Sequence, residues 1–114
     1  MLGREPGDRR AAGPLLLDFY TGWCVQCRMQ QKNLAEALAQ SGAHVILDRV
    51  DADAAPELAG KYAVMQVPTL VAIRDGCEVA RLVGAQPVET LVAFLRGLLE
   101  AADPAASRGN GAAT

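Results

Sequence analysis

The chain has 114 residues, a hydrophobic share of 51% and a formal net charge of -2 at pH 7. This length suits one domain with a modest core, and the small net charge gives no reason to expect nucleic acid or an anionic membrane as a partner. No segment approaches the roughly 18 to 20 apolar residues of a membrane-spanning helix. Three cysteines are an odd count, which does not suit a disulfide-stapled secreted scaffold.

The chain begins with a predicted arm and a predicted strand. Residues 1–14 are rich in Gly, Arg, Pro and Ala without a periodic apolar face, which predicts a disordered arm. The apolar run after the arm is too short for a signal peptide, because Asp18 interrupts it. A cytoplasmic location is therefore the default expectation, and the alternative is a domain cut from a longer, exported chain. Residues 15–20 are apolar and end in two aromatics, which indicates a buried strand.

Two cysteines, Cys24 and Cys27, follow this strand where a helical pattern begins. Residues 24–40 contain good helix formers and no Pro or Gly, so Cys24 is expected at a helix N-terminus, where N–H groups stabilise a thiolate. Cys27 lies one turn later on the same side and can close a disulfide. The same spacing can hold a metal, but a zinc site needs four ligands and only Cys77 and His44 remain. Redox chemistry is favoured, and no metal site is predicted.

The first predicted helix has a partly apolar face and a polar face. The apolar residues are Met29, Leu34, Ala35, Leu38 and Ala39, and the polar ones are Arg28, Gln30, Gln31, Lys32 and Glu36. Ser41-Gly42 ends the helix. Residues 44–51 form a second strand, and the order strand, helix, strand implies parallel pairing with a right-handed crossover. His44 has no acid or nucleophile near it in sequence, so a solvated or incidental histidine is expected.

A short helix and a hairpin are predicted next. Residues 55–62 form the helix, with Asp53 as its candidate N-cap. Residues 69–74 and 77–83 form an antiparallel pair of strands around an Asp-Gly turn. Gly84 closes the second of these strands.

The last predicted helix opens at Pro87 and repeats apolar residues at helical spacing, so one face must pack on the sheet. That face comprises Val88, Leu91, Val92, Leu95, Leu98 and Leu99. Residues 102–114 are rich in Ala, Gly and Ser, which predicts a disordered tail. The folded domain is therefore expected over residues 15–101, as an α/β fold of order βαβαββα.

Several motifs stand in the order and at the spacings of a known family. They are Asp18 in an apolar strand, Trp23-Cys24-x-x-Cys27, Val67-Pro68-Thr69 before a strand, Asp75-Gly76 and Gly84. With these motifs the chain resembles thioredoxin over roughly residues 15–101. The resemblance implies a three-layer sandwich around a central mixed sheet and an enzyme that reduces protein disulfides by dithiol exchange. It implies no cofactor beyond the redox-active disulfide, so a separate donor resembling thioredoxin reductase must supply electrons.

The resemblance also assigns roles to residues at the thiol pair. Cys24 matches the attacking cysteine and Cys27 the resolving one. Asp18 matches a buried carboxylate that accepts the proton of Cys27 through water, and burial would raise its pKa. The alternative for Asp18 is a solvated acid at a strand end. Arg49 stands where the family usually has Lys and should oppose that rise, and Pro68 matches a cis-proline.

The family surface that receives the substrate maps to a wider set of residues. They are Trp23, Val25, Gln26, Ala52, Gln66, Val67, Thr69, Val83 and Gly84. The backbone of Val67 would pair with an extended substrate segment, and Gln66 stands where a small residue is common, which would narrow the groove. For Trp23 and Val83 the alternative is core packing.

Two departures from the family pattern matter most. Val25-Gln26 replaces the usual Gly-Pro between the cysteines, which must change the relative stability of dithiol and disulfide. The arm is too short and polar to supply a first strand and helix, so the sheet loses an edge strand. The chain would then be a monomer with an exposed edge or a weak dimer that covers it. Cys77 is either a spectator on an edge strand or a site of intermolecular disulfide or glutathione attachment.

Two other functions remain open at this point. One is an exported or membrane-linked relay domain that passes electrons to a dedicated partner, because such domains also lack Gly-Pro between the cysteines. The other is a binding or holdase module with the same fold and an incidental dithiol.

Overall fold

The computed structural model describes residues 13–100, and in that range the elements follow the predicted order. The strands are β1 (Leu15–Tyr20), β2 (Ile46–Asp51), β3 (Thr69–Arg74) and β4 (Cys77–Val83), and the helices are α1 (Val25–Ser41), α2 (Pro56–Lys61) and α3 (Val88–Glu100). The predicted arm and tail lie outside the described residues, apart from Gly13 and Pro14. The carbonyl of Pro14 accepts a hydrogen bond from the Ile46 amide at 2.8 Å, so ordered backbone precedes β1.

The sheet is mixed and has the strand order β2-β1-β3-β4. β1 runs parallel to β2 and antiparallel to β3, and β4 is antiparallel to β3. The two central strands read LLLDFY and TLVAIR and are buried along nearly their whole length, as expected for strands covered on both faces. The edge strands β2 and β4 are mostly exposed. The predicted mixed central sheet is therefore confirmed.

Helices cover both faces of this sheet. On one face Leu16, Leu70 and Ala72 pack against buried residues of α1 and α3. Those helix residues are Leu34, Ala37, Leu91, Val92, Leu95 and Leu98. On the other face Phe19 and its neighbours pack against Leu58 of α2 and against Tyr62, whose ring centroid lies 6.3 Å from that of Phe19. The result is the predicted three-layer sandwich.

The buried face of α1 differs from the predicted one. Its buried residues are Cys27, Gln30, Leu34 and Ala37. Met29, Ala35 and Ala39, which were predicted on the apolar face, are exposed. Gln30, predicted on the polar face, is fully buried. The buried residues follow Cys27 at intervals of three and four, and this helical spacing decides which side of α1 meets the sheet, whatever the polarity of each side chain.

Several element boundaries also needed correction. α1 starts one residue later than predicted, because Cys24 is its N-cap, and it ends at Gly42, whose left-handed φ of 67° lets its amide bond the Leu38 carbonyl. β2 begins at Ile46 rather than at residue 44. Asp53 is not the N-cap of α2: Ala55 holds that position without a side-chain bond.

The hairpin has the predicted bounds. Asp75 and Gly76 both have positive φ, 54° and 80°, as the tight two-residue turn between such strands requires. At the neighbouring end of the sheet Arg74 donates through its Nη2 to the Leu98 carbonyl of α3 at 2.8 Å. In α3 the predicted apolar face is buried except for Val88, which is partly buried, and Leu99, which is 41% exposed.

The outer edge of the sheet on the β2 side carries exposed apolar residues. Ile46 and Leu47 are 38% and 41% exposed. The shortened sheet was predicted to have an exposed edge, and these residues lie on such an edge. Within residues 13–100 no helix is both long and apolar enough to cross a membrane.

Candidate active site

The thiol pair lies at the N-terminus of α1. Cys24 is the N-cap, with extended backbone angles, and its Sγ accepts a hydrogen bond from the Cys27 amide at 3.0 Å. The two cysteines form a disulfide, with their Cα atoms 5.2 Å apart. No acidic residue occupies the first turn of α1. Cys24 therefore lies at the positive end of the helix, beside a backbone amide, which is the position predicted for it.

The sequence places the pair there through a short turn after β1. Thr21 and Gly22 follow the last residue of the strand, and the Cys24 amide donates to the Thr21 carbonyl at 3.4 Å. β2 runs parallel to β1, so its carboxyl end lies at the same edge, where the Ala52 amide donates to the Tyr20 carbonyl at 2.8 Å. Side chains from both strand ends consequently gather beside the cysteines.

Asp18 is buried in the middle of β1, only 1% exposed. It shares the face of Leu16, which is the face that α1 and α3 cover, because alternate strand residues point the same way. Burial raises the pKa of the Asp18 carboxyl, and the hydrogen bond and charge of Arg49 only partly oppose this rise. The solvated alternative for Asp18 is therefore wrong.

Arg49 bridges Asp18 and an aromatic ring. Its Nε donates to Oδ2 of Asp18 at 3.3 Å, and its guanidinium carbon lies 4.0 Å from the centroid of the Tyr20 ring. The Arg49 side chain keeps 31% of its surface exposed. The stacking on Tyr20 holds the Arg49 guanidinium in place, but because the side chain keeps about a third of its surface in water, its charge offsets only part of the cost of burying the Asp18 carboxylate.

Trp23 directly precedes Cys24 and has 72% of its surface exposed. Its indole Nε1 donates to Oδ2 of Asp53 at 3.0 Å. Asp53 in turn is held by a turn in which its own amide donates to the Asp51 carboxylate at 3.0 Å. The predicted alternative of Trp23 as core packing is wrong, because the ring projects into solvent and is oriented from one edge.

The loop before β3 carries the predicted proline. The Val67–Pro68 peptide bond is cis, as expected. The Pro68 carbonyl accepts a hydrogen bond from the Gly84 amide at 2.8 Å, which ties this loop to the end of β4. Thr69 was predicted to contact substrate, but its side chain is buried and its hydroxyl donates to the Gln66 carbonyl at 2.7 Å, so it supports the loop from below.

Exposed apolar side chains surround this loop and the start of α1. They include Trp23, Val25, Met65 and Val83, of which Met65 is 91% exposed. Val83 is about half exposed, so its alternative role as an inward core residue is wrong. Gln66 is exposed and its Nε2 lies 3.6 Å from where a Cβ on Gly84 would be, so the two residues face each other.

Cys77 and His44, the other two candidate metal ligands, lie away from the cysteine pair. Within the described part of the chain, which includes every cysteine and the histidine, no group of three or more His, Cys, Asp or Glu residues could hold a metal ion. Cys77 is an exposed free thiol at the start of edge strand β4, and His44 is exposed before β2. The structure therefore does not bring either residue together with the cysteine pair.

Comparison with known proteins identifies the family. The family model for thioredoxin matches residues 9–97. The chain is 40% identical over 88 residues to a thioredoxin from Chlamydia trachomatis, covering 77% of this chain and 85% of that protein. The chain belongs to the thioredoxin family. It is also 34% identical over 87 residues to a thioredoxin from Alicyclobacillus acidocaldarius, covering 76% and 83% of the two chains.

Solved structures agree with this family. A mutant thioredoxin from Halobacterium salinarum superposes with a TM-score of 0.67 at 33% identity, covering 80% of each chain. Since thioredoxins are disulfide reductases, this chain is a thiol-disulfide oxidoreductase that has Cys24–Cys27 as its redox disulfide. The relay and holdase alternatives gain no support from these matches.

Sequence reasoning missed some partners of the site. Tyr20 stacks on Arg49, and Asp53 bonds Trp23. Both could have been found from topology, because Tyr20 ends β1 and Asp53 closely follows the end of the parallel strand β2. The carboxyl ends of parallel strands meet at one edge of a sheet, and polar residues there are candidates for a site in thioredoxins as in other α/β folds.

Proposed function

We propose that this thioredoxin family member reduces protein disulfides with Cys24 as the nucleophile and Cys27 as the resolving cysteine. The observation that supports this assignment is the hydrogen bond from the Cys27 amide to Cys24 Sγ at the helix N-terminus. A backbone amide at this position stabilises negative charge on Cys24 more than on Cys27, which lies one turn inside the helix.

The proposed reaction has two exchange steps. The Cys24 thiolate attacks one sulfur of a substrate disulfide, so that a Cys24–substrate disulfide forms and a substrate thiolate leaves and takes up a proton. Cys27 gives up its proton and attacks Cys24, the Cys24–Cys27 disulfide forms, and the second substrate thiolate leaves and takes up a proton. Two electrons have then passed to the substrate, whose two protons come from Cys27 and from solvent. A separate reductase of the thioredoxin-reductase class returns the two electrons.

Asp18 is proposed as the acceptor of the Cys27 proton. Its burial raises the pKa of the carboxyl, which makes it a better base at neutral pH than an exposed aspartate. It lies on the sheet face covered by α1, the helix that carries Cys27. Arg49 sets how far that pKa rises, since its hydrogen bond and charge both lower it.

Protein substrates are proposed to bind as an extended segment along the loop before Pro68. The backbone of Val67 would pair with this segment, and Gln66 and Gly84 would form the wall beside it. Trp23 and Val25 provide exposed apolar surface next to the nucleophile, as does Val83. The exposed Gln26 would contact the substrate from the first turn of α1.

We place the thioredoxin-like domain at residues 15–101 and expect a cytoplasmic reductase without a further cofactor, because dithiol exchange needs only the two sulfurs. It would act without nucleic acid or membrane as a partner. It would be a monomer or a weak dimer through the β2 edge, where Ile46 and Leu47 are exposed.

Insulin reduction tests the proposed enzyme. The wild type and the Cys77→Ser variant should reduce insulin disulfides in the presence of dithiothreitol, whereas Cys24→Ser should not. Cys27→Ser should accumulate a mixed disulfide between Cys24 and the substrate, because the second step is blocked. Activity that survives the loss of Cys24, or that is absent from the wild type, would reject the proposal.

The reduction potential of the Cys24–Cys27 pair tests the direction of the reaction. A value near about -270 mV against a glutathione series would fit a reductant of thioredoxin type. A value near about -180 mV or higher would instead fit an isomerase or an oxidant, and the cytoplasmic reductase role would be abandoned.

A further inference from the structure

The loop between β4 and α3, residues 84–87, is held by hydrogen bonds although it has no regular structure. We refer to it as the Gly84 loop. Its first amide, that of Gly84, donates to the Pro68 carbonyl at 2.8 Å. Gln86 closes it from within, since its Nε2 donates to the carbonyls of Val83 and Gly84 at 3.1 and 3.3 Å. The loop therefore forms a compact wall against the segment that carries the cis-proline.

Two side chains of α1 also form hydrogen bonds with the backbone of this loop. The Gln86 amide donates to Oε1 of Gln30 at 2.9 Å, and the Gln86 carbonyl accepts from Nδ2 of Asn33 at 3.0 Å. Gln30 and Asn33 are three residues apart and so lie on one side of the helix. Gln30 is also three residues after Cys27. One continuous set of bonds consequently joins the helix of the resolving cysteine to the Gly84 loop and to Pro68.

Burying the polar side chain of Gln30 costs free energy that an apolar side chain at this position would not cost. Its side chain is 0% exposed, and its Nε2 is buried without a hydrogen-bond partner within residues 13–100. An apolar side chain of the same length would fill this position without burying an unsatisfied donor. The useful part of the side chain is thus Oε1, which fixes the backbone of the loop.

We propose that Gln30, Asn33 and Gln86 are positioning residues for substrate binding, which hold the Gly84 loop as one wall of the groove. This inference rests on the proposed function. Pro68 directly follows Val67, and its carbonyl accepts a hydrogen bond from the Gly84 amide. A substrate segment paired with the Val67 backbone must therefore pass beside Gly84. Without the bonds from Gln30 and Asn33, the Gly84 loop can rotate about Gly84, because a glycine, whose φ is 88° here, has wide backbone freedom. Substrate binding must then also order the loop, which lowers the affinity.

The test compares a protein disulfide with a small one in the Gln30→Met and Gln86→Ala variants. Both variants should raise the KM for insulin by about three- to tenfold and leave kcat and the rate with hydroxyethyl disulfide within about twofold, because a small disulfide does not use the groove. Gln31→Met is the matched control, since Gln31 is exposed on the same helix. Amide exchange at Gln86 should accelerate in Gln30→Met and stay unchanged in Gln31→Met.

The outcomes separate the two proposals. A KM for insulin unchanged in both variants would overturn the positioning role, as would an equal loss with both disulfides. If the wild type fails to reduce insulin, the proposed function fails, while the exchange of the Gln86 amide still reports whether Gln30 holds the loop. If Gln30→Met does not fold, Asn33→Ala carries the test, because Asn33 is only partly buried and its substitution removes the bond from α1 to the Gln86 carbonyl.

Discussion

The buried carboxylate of Asp18 should lower the stability of the protein at neutral pH, and the Asp18→Asn variant should recover that stability. Desolvation raises the pKa of Asp18 more than Arg49 lowers it, so the native state binds a proton more tightly than the unfolded chain. Stability from this group is fully present below the unfolded pKa of about 3.9 and is lost as the pH rises through the raised native pKa. The asparagine variant has no such loss.

The size of the effect follows from the surroundings of the carboxylate. Each unit by which the pKa is raised costs the native state about 1.4 kcal/mol at pH values above it. Arg49 would lose an ion pair, but its side chain is 31% exposed and remains stacked on Tyr20, so that loss is worth at most about 1 kcal/mol. Replacing a whole buried ion pair by well-packed apolar residues of similar volume often stabilises by about 1 to 4 kcal/mol, and asparagine removes only the charge of Asp18, so the gain should fall in the lower half of that range. A gain of about 2 kcal/mol at pH 8 is expected, which is roughly 8 to 16 °C in Tm for a domain of this size.

Urea unfolding of the oxidised protein between pH 4 and pH 8 measures this gain. The difference between Asp18→Asn and wild type should grow with pH and vanish near pH 4. Asp48→Asn, which removes an exposed carboxylate from β2, is the control and should change stability by less than about 0.5 kcal/mol. An Asp18→Asn variant that is no more stable than wild type at pH 8, or equally stabilised at both pH values, would refute the reasoning.

Two further predictions concern the groups beside the thiols. The Arg49→Met substitution should raise the pKa of Asp18 further, because it removes the hydrogen bond and charge that lower it, and a carbon NMR titration of the Asp18 carboxyl would show this directly; a lower or unchanged pKa would contradict the assignment. The Asp53→Ala substitution should release the indole of Trp23, lower its fluorescence anisotropy and raise the KM for insulin severalfold, with less than about 1 kcal/mol lost in stability because the bond is exposed. An unchanged anisotropy would show that the bond does not orient the ring.

The strands and the hairpin could be predicted from local chemistry. The runs LLLDFY and TLVAIR are continuously apolar apart from one acid or a few polar ends, and the Asp75-Gly76 turn joins β3 to β4. The register of the two strands shifts between Ala72 and Ile73, which the sequence did not predict. In these segments the turn chemistry and the burial pattern agree, so residue types were sufficient to predict the strands. The helix N-terminus at Cys24 was predictable for the same reason.

Side chains whose partners are distant in sequence could not be predicted in this way. Gln30 looked like a surface residue because its partner, the Gln86 amide, lies 56 residues later. Asp53 was expected to cap α2, yet it accepts the indole of Trp23, 30 residues earlier. Thr69 was expected to contact substrate, but it begins the central strand β3, which is covered on both faces, so its side chain is buried. In each case tertiary contacts overrode the local preference.

The bond from Arg74 to the Leu98 carbonyl has a practical meaning for experiments with this protein. Arg74 ends β3 and Leu98 lies near the end of α3, while Gly13 leads into the start of β1. β1 spans six residues, about 17 Å, before the turn that carries the thiols. Residues 13 and 100, the two ends of the described backbone, therefore lie at the end of the molecule opposite Cys24. A tag, a surface linker or a fused domain attached at either end would leave the reactive sulfur facing away from the point of attachment and open to large partners.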